Sequence, residues 1–451
     1  MTNEAGNGKG ARRGRQPKQR PELPNLARKL RMLVRHEFPE FGNWLGNVRD
    51  PRSAQRISYS AKTLLWTTIL AFISGARSRR DFRAQSMTAE FLANSNWQMD
   101  SRDDAVPHPD TLVYLLERLE SQELATLPGD CVHTLMRNRV LDESRLGGRY
   151  LIAIDGTGIL SSSEKHCDTC LTQVHKDGTT TYYHMVLEAK LVTPGGLAFS
   201  IGSEFIQNAD PKATKQDCEL KALYRLLPRL KERFPRTRIC LLLDSLYAND
   251  TVLKLCEKYG WEYIITFKEG AAPAAYADFL TLARLQKDNR LTRRHGDEMQ
   301  RIEWVQGLVW ERHRLNVLRC NVERANGPAT CFVWMTNLAL SSQNVEAIAN
   351  YGGRCRWKIE NEGFNVQKNG KFHIEHPFGC QGEAWKNFYI LAQVAHLLLQ
   401  LMYWWRALRV ARGYLGAVYR FIAKIAEDMR TLMPPAADTI DPAFQLRLDT
   451  T

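Results

Sequence analysis

"YLIAIDGTG", residues 150–158, is an apolar run that ends in an acid and two glycines. Five residues without a charge, closed by Asp and Gly, read as a buried strand meeting a turn. A second run of the same design, "LLLDSLYAND" (241–250), places its own acid 89 positions after the first. Between them "TTYYHMVLEAKLVT" and "LAFSIGSEFI" read as strands joined through "PGG", and "KQDCELKALYRLLPRLKERFP" reads as an amphipathic helix. "TVLKLCEKYG", closed by Gly260, and "WEYIITFK" continue as helix and strand. Neighbouring strands followed by strand–helix alternation predict a mixed α/β sheet covered by helices.

The flanks differ in character. Residues 1–22 are rich in Gly, Pro and basic residues, without hydrophobic pattern, and are expected to be a disordered basic arm. From 23 to 145 the periodicity is helical: Leu26, Leu30, Val34 and Phe38 recur about once per turn, and Asp110 is placed like a helix cap. An all-helical, basic unit suits DNA binding, and equally a plain scaffold. The α/β core is expected over 146–270, a β-rich insertion over 271–343, and returning core helices over 344–410. Residues 411–451 read as a basic helical C-terminal segment.

The chain has 451 residues, of which 44% are hydrophobic, enough for a sizeable core. Lys and Arg exceed Asp and Glu by 62 to 49, a net charge of +13 that favours a polyanionic partner. Ten scattered cysteines and no secretory signal point to a reducing cytoplasm. The apolar stretch 388–405 is interrupted by Gln393, His396 and Gln400, and is expected to be a buried core helix rather than a membrane span.

Asp155 and Asp244 each follow an apolar strand, where a rigid backbone can aim side chains into a site. On neighbouring strands the two carboxylates converge, as hard cations such as Mg²⁺ require. A third acid from a packed helix completes such a site, and "RWKIENEGFNVQK" (356–368) offers Glu360 and Glu362. Taken singly, each Asp is as well explained as a cap or turn residue.

"AIDGTG", "LLLDSLYAND", a β-rich stretch and "RWKIE", in that order, resemble the DDE transposases of bacterial insertion sequences, in the cut-and-paste branch with a Tyr–Arg–Glu–Lys signature. The resemblance implies an RNase H-like mixed-sheet catalytic core with a β-rich insertion, beside an all-helical N-terminal domain. It implies that Asp155, Asp244 and Glu360 are catalytic and hold Mg²⁺, for which Mn²⁺ can substitute. Glu362 is the alternative. Arg356 stands four before Glu360, as in the family, and on an α-helix Arg356, Glu360 and Gln367 share one face. The family's Tyr falls at 353, which is Gly, and its Lys at 367, which is Gln; Tyr351 and Lys368 stand nearby. Tyr351, Arg354, Arg356 and Lys368 are therefore the expected DNA contacts.

The implied function is two-metal cleavage at element ends and joining of 3′-OH ends to target DNA. The partners are double-stranded DNA with terminal inverted repeats, target DNA, and a second copy of the chain on paired ends. The implied location is cytoplasmic, at the nucleoid when bound, with no membrane. A metal-dependent nuclease that does not join, or a non-catalytic DNA-binding protein derived from a transposase, are the alternatives.

Two further stretches carry chemistry. "KHCDTCLTQVH" offers Cys167 and Cys170, with His166 and His175, to zinc. "KQDCE" sets Asp217 and Glu219 at a helix start, where the helix dipole accounts for them.

Overall fold

The computed structural model describes residues 21–164, 166–209, 215–325, 327–436 and 444–449. The expected basic arm at 1–22 lies, apart from its last two residues, outside the described residues, as does 437–443 within the C-terminal segment.

The chain is mixed α/β. Among the described residues ten strands form one sheet: β1 (Tyr150–Ser162), β2 (Leu171–Val174), β3 (Thr180–Val192), β4 (Ala198–Ile206), β5 (Ile239–Leu243), β6 (Glu262–Thr266), β7 (Arg290–His295), β8 (Glu298–Trp310), β9 (His313–Arg324) and β10 (Thr330–Thr336). Their order is β2-β3-β1-β5-β6-β10-β9-β8-β7, with β4 on β3. β1 runs parallel to β5, and β5 to β6; β1 to β3 and β3 to β4 are antiparallel. The strands within 271–343 do not form a separate sheet. β10 pairs antiparallel with β6 and carries the same sheet onward.

Strand parity decides the two faces. Leu151 and Ala153 of β1, with Cys240 and Leu242 of β5, pack on one face against Ile348, Cys355, Ile359 and Phe364. Ile152 and Ile154, with Leu241 and Leu243, pack on the other against the helix Glu219–Arg233 through Leu223, Leu226 and Leu227. Each such aliphatic side chain, fully buried, contributes about 1.5–3 kcal/mol.

The N-terminal helices begin at Leu26–Glu37, capped by Asn25, and include Ala61–Ile73, capped by Ser60, and Arg79–Ser86, capped by Ser78. The basic stretch after "LAFISG" thus opens a further short helix. His108, not Asp110, caps Pro109–Leu116: its Nδ1 accepts from the Asp110 amide at 3.2 Å, because Pro109 takes the first helical position. These helices do not close a core of their own. Leu64, Ile69 and Phe72 share one continuous core with Leu391, Leu398 and Phe388 of the helix Ala384–Trp404, which is buried from Ala384 to Met402. No helix of the described residues is long and apolar enough to cross a membrane.

Candidate active site

Asp155 does not end its strand. β1 runs seven residues past it, to Ser162, because antiparallel pairing with β3 continues (Asp155 opposite Glu188) after the parallel ladder to β5 stops at Ala153–Leu242. Asp244 does lie just past β5, where its Oδ1 accepts from the Leu246 amide at 2.8 Å and caps a short turn. Asn249 caps the next helix, Asp250–Tyr259. Asp155 and Asp244 therefore sit two residues beyond the same rung of adjacent parallel strands, near enough for the charge of Asp244 to act on Asp155. Asp155 follows the parity of Ala153 and faces the segment 345–369, where Arg356 bonds it.

That segment was expected to be α-helix. It is instead a π-helical turn (Ile348–Gly352), a 3-10 turn (Gly353–Trp357), a second π-helical turn (Ile359–Phe364) and a short α-helix (Asn365–Asn369). The backbone lies tight against the sheet here: a Cβ on Gly353 would overlap the Trp334 indole. The α-helical face assigned to Arg356, Glu360 and Gln367 consequently does not exist. Gln367 is buried, donating to Gln393 Oε1 at 2.7 Å and lying 3.1 Å from His396 Nδ1, whereas Glu360 is exposed.

Arg356 reaches the acids. Its guanidinium donates to Asp155 Oδ2 at 2.9 Å, with the ring of Trp357 4.8 Å away. Glu360 follows one turn later, and its side chain makes no hydrogen bond or ion pair among the described residues. Glu362 points elsewhere. It pairs with Lys358 at 3.2 Å and lies beside Gly196, in the β3–β4 turn at the far end of β1. As placed, Asp155, Asp244 and Glu360 do not gather as a trio within 4.8 Å among the described residues.

Of the expected DNA contacts, only Arg356 stands at the acids. Arg354 is held by Glu298 of β8 through two bonds of 2.7 and 3.0 Å. Lys368 pairs with Glu375 at 3.0 Å. Tyr351 is exposed, its ring 6.0 Å from that of His295.

A fourth carboxylate joins the cluster. Glu219 was explained by the helix dipole alone, but its side chain lies over Gly156, where any Cβ would overlap it, and accepts from the Tyr247 hydroxyl at 3.0 Å. Burial pushes its carboxyl above the usual range; the Tyr247 bond opposes this, and the charges of Asp155 and Asp244 add to it. Burial likewise raises Asp155, with Arg356 opposing and Asp244 adding. The Tyr247 hydroxyl is raised by burial and by Glu219. Glycine after the first Asp was the available signal, since its missing side chain leaves room for Glu219. Asp217 takes no part: it binds Arg225 at 2.7 Å.

Asp155, Asp244 and Glu219 thus lie close enough for their charges to interact, where the parallel ladder of β1 and β5 stops, with Arg356 bonded to Asp155. Two family models match the chain: DDE_Tnp_1-associated over residues 43–130, and Transposase DDE domain group 1 over residues 208–375. Together they span more than half of it, and the chain belongs to the DDE transposases of insertion-sequence type. The second match contains Glu219, Asp244 and Glu360 and begins after Asp155. No curated protein matches the chain.

Proposed function

We propose that this transposase cuts DNA at the ends of its element and joins the freed 3′-OH to target DNA, by phosphoryl transfer with two divalent ions. Mg²⁺ is the expected ion, with Mn²⁺ as substitute. The observation that supports this reading is Asp155, bonded by Arg356 and within reach of the Asp244 charge beyond the paired ends of β1 and β5. The strand order β4-β3-β1-β5-β6, three antiparallel strands followed by two parallel ones, fits an RNase H-like core.

The donor set fits the ion. It is all oxygen and carries more negative charge than Arg356 neutralises, which is why burial and mutual repulsion raise Asp155 and Glu219. Asp155, Asp244 and Glu360 are the residues that would hold it. When bound, such ions neutralise charge on the phosphodiester and lower the pKa of water. Arg356 orients the Asp155 carboxylate, and its charge lies where the scissile phosphate must approach. Trp357, 52% exposed beside it, offers an aromatic face to an unstacked base. Arg79, Arg80 and Arg83 of the helix Arg79–Ser86, inside the 43–130 match, offer basic charge for end binding, Arg79 also pairing with Asp110. Two copies on paired ends complete the reaction.

The test is cleavage and joining of DNA carrying the element's own ends, in Mg²⁺ or Mn²⁺. Asp155→Asn, Asp244→Asn and Glu360→Gln should each lose cleavage by roughly a thousandfold or more, and Glu362→Gln should retain it. Full cleavage by Asp155→Asn would overturn the assignment. Cutting without joined product would favour the nuclease, and binding without cutting the DNA-binding protein.

A further inference from the structure

The turn between β1 and β2 holds a cluster remote in chemistry from the acids. Cys167 Sγ and Cys170 Sγ are 3.3 Å apart, and His184 Nε2 of β3 lies 3.4 Å from each. Among the described residues this is the one group of three His, Cys, Asp or Glu side chains whose ligand atoms all lie within 4.8 Å. Neither expected histidine takes part. His166 stacks on Tyr182 with ring centroids 4.1 Å apart, and His175 Nε2 is 2.8 Å from the Thr181 hydroxyl.

We propose that Cys167, Cys170 and His184 form a zinc site, with its fourth position open to solvent. Zn–S near 2.3 Å and Zn–N near 2.0–2.1 Å, at tetrahedral angles, put ligand atoms about 3.6–3.8 Å apart, within roughly half an ångström of the separations found. Two thiolates and an imidazole suit zinc over magnesium or calcium. The surroundings are those of metal thiolates: the Cys167 amide points at Cys170 Sγ at 3.3 Å, and the Thr169 hydroxyl lies 3.4 Å from Cys167 Sγ. Two thiols in a turn need no third partner, yet the fold aims a buried imidazole between them. Stacking on Trp385, at 4.2 Å, fixes that ring. Its Nδ1 is buried without a hydrogen-bond partner among the described residues, so Nε2 is the nitrogen offered. Binding converts the thiols to thiolates and releases their protons to solvent.

The ion would clamp the β1–β2 turn onto β3, and through Trp385 onto the helix Ala384–Trp404. His184 is four residues from Glu188, the residue opposite Asp155, so the clamp would steady the strand pair that carries Asp155. This does not depend on the proposed reaction.

The test is metal content of the purified, thiol-reduced protein by plasma mass spectrometry, followed by Co²⁺ titration of the metal-stripped protein. Wild type should hold one equivalent of zinc and give the thiolate-to-cobalt absorption band that oxygen ligands cannot give. Cys170→Ser and His184→Gln should weaken binding by more than about tenfold; Cys167→Ser, at an exposed position, guards against misfolding of the buried variants. Asp244→Asn should keep the band, separating this site from the acids. Absence of metal and band in the reduced wild type, a band unchanged in the three variants, or a Cys167–Cys170 disulfide in place of metal would each overturn the proposal.

Discussion

Replacing Glu219 by Gln removes one charge from the acid cluster while keeping the shape over Gly156 and an oxygen for the Tyr247 hydroxyl. A like-charged neighbour at about 5 Å costs roughly 1–3 kcal/mol for effective dielectrics between 80 and 20. Solvent screening of these half-buried groups favours the lower end, about 1 kcal/mol. At about 2.1 cal/mol/K of unfolding entropy per residue, that is a Tm shift of roughly 1 °C for a chain of this length.

The sign depends on pH and on metal. Asp155 and Glu219 have folded values above their ordinary 3.8 and 4.5. Between the unfolded and folded values the native state therefore binds more protons, and stability falls as pH rises through that window. Below it the penalty is absent; above it the penalty is full. In chelator at pH 7.5 Glu219→Gln should melt higher than wild type by about 1 °C, and at pH 4 the two should converge. In Mg²⁺ or Mn²⁺ the order should reverse, because the variant has lost a charge that attracts the ion. Scanning fluorimetry across pH, with and without metal, makes the comparison. A variant that melts lower in chelator at pH 7.5, or one with the wild-type metal-induced shift, would refute the reasoning.

Lys190 is fully buried, 3.6 Å from Glu188 and 2.5 Å from Gln393. Lys190→Met should cost about 3–5 kcal/mol by stranding the Glu188 charge, and Glu188→Gln in the same chain should restore most of the melting temperature; failure to restore would deny the pair its role. Gly353→Ala should cost about 1–3 kcal/mol through overlap with Trp334. It should also lower cleavage more than DNA affinity, since the shift displaces Arg356 from Asp155; equal losses of both would argue against this.

The strands were readable because buried strands carry their signal locally. The apolar runs of β1 and β5, each with its acid, needed no distant information. The length of β1 was hidden: "GTGILSS" lacks apolar continuity, and it is strand because β3 pairs with it. The π-helical and 3-10 turns at 348–364 were hidden for a related reason. Their sequence is compatible with α-helix, and the 3-10 turn begins at Gly353, where the backbone lies against Trp334, a contact distant in sequence. Likewise the Cys-x-x-Cys pair was visible, but its histidine comes from another strand, 14 residues after Cys170.

The departures from the family signature follow from packing. Tyr cannot stand at 353, because Trp334 occupies the space even of a Cβ. Lys at 367 would bury a second charge beside Lys190, since Gln367 and Lys190 share Gln393 as hydrogen-bond partner. With that position spent on core structure, Arg356 is left as the cation that reaches the acids from this segment. Removing it should therefore act on Asp155 directly. Arg356→Gln leaves Asp155 with burial and the Asp244 charge, both of which push its carboxyl higher. The pH at which metal binding sets in should rise for Arg356→Gln relative to wild type, while Arg354→Gln, which loses only its tie to Glu298, should leave it unchanged. Metal-dependent Tm shifts measured from pH 5 to 8 separate the two variants, and an unchanged onset in Arg356→Gln would show that the ion pair does not tune the site.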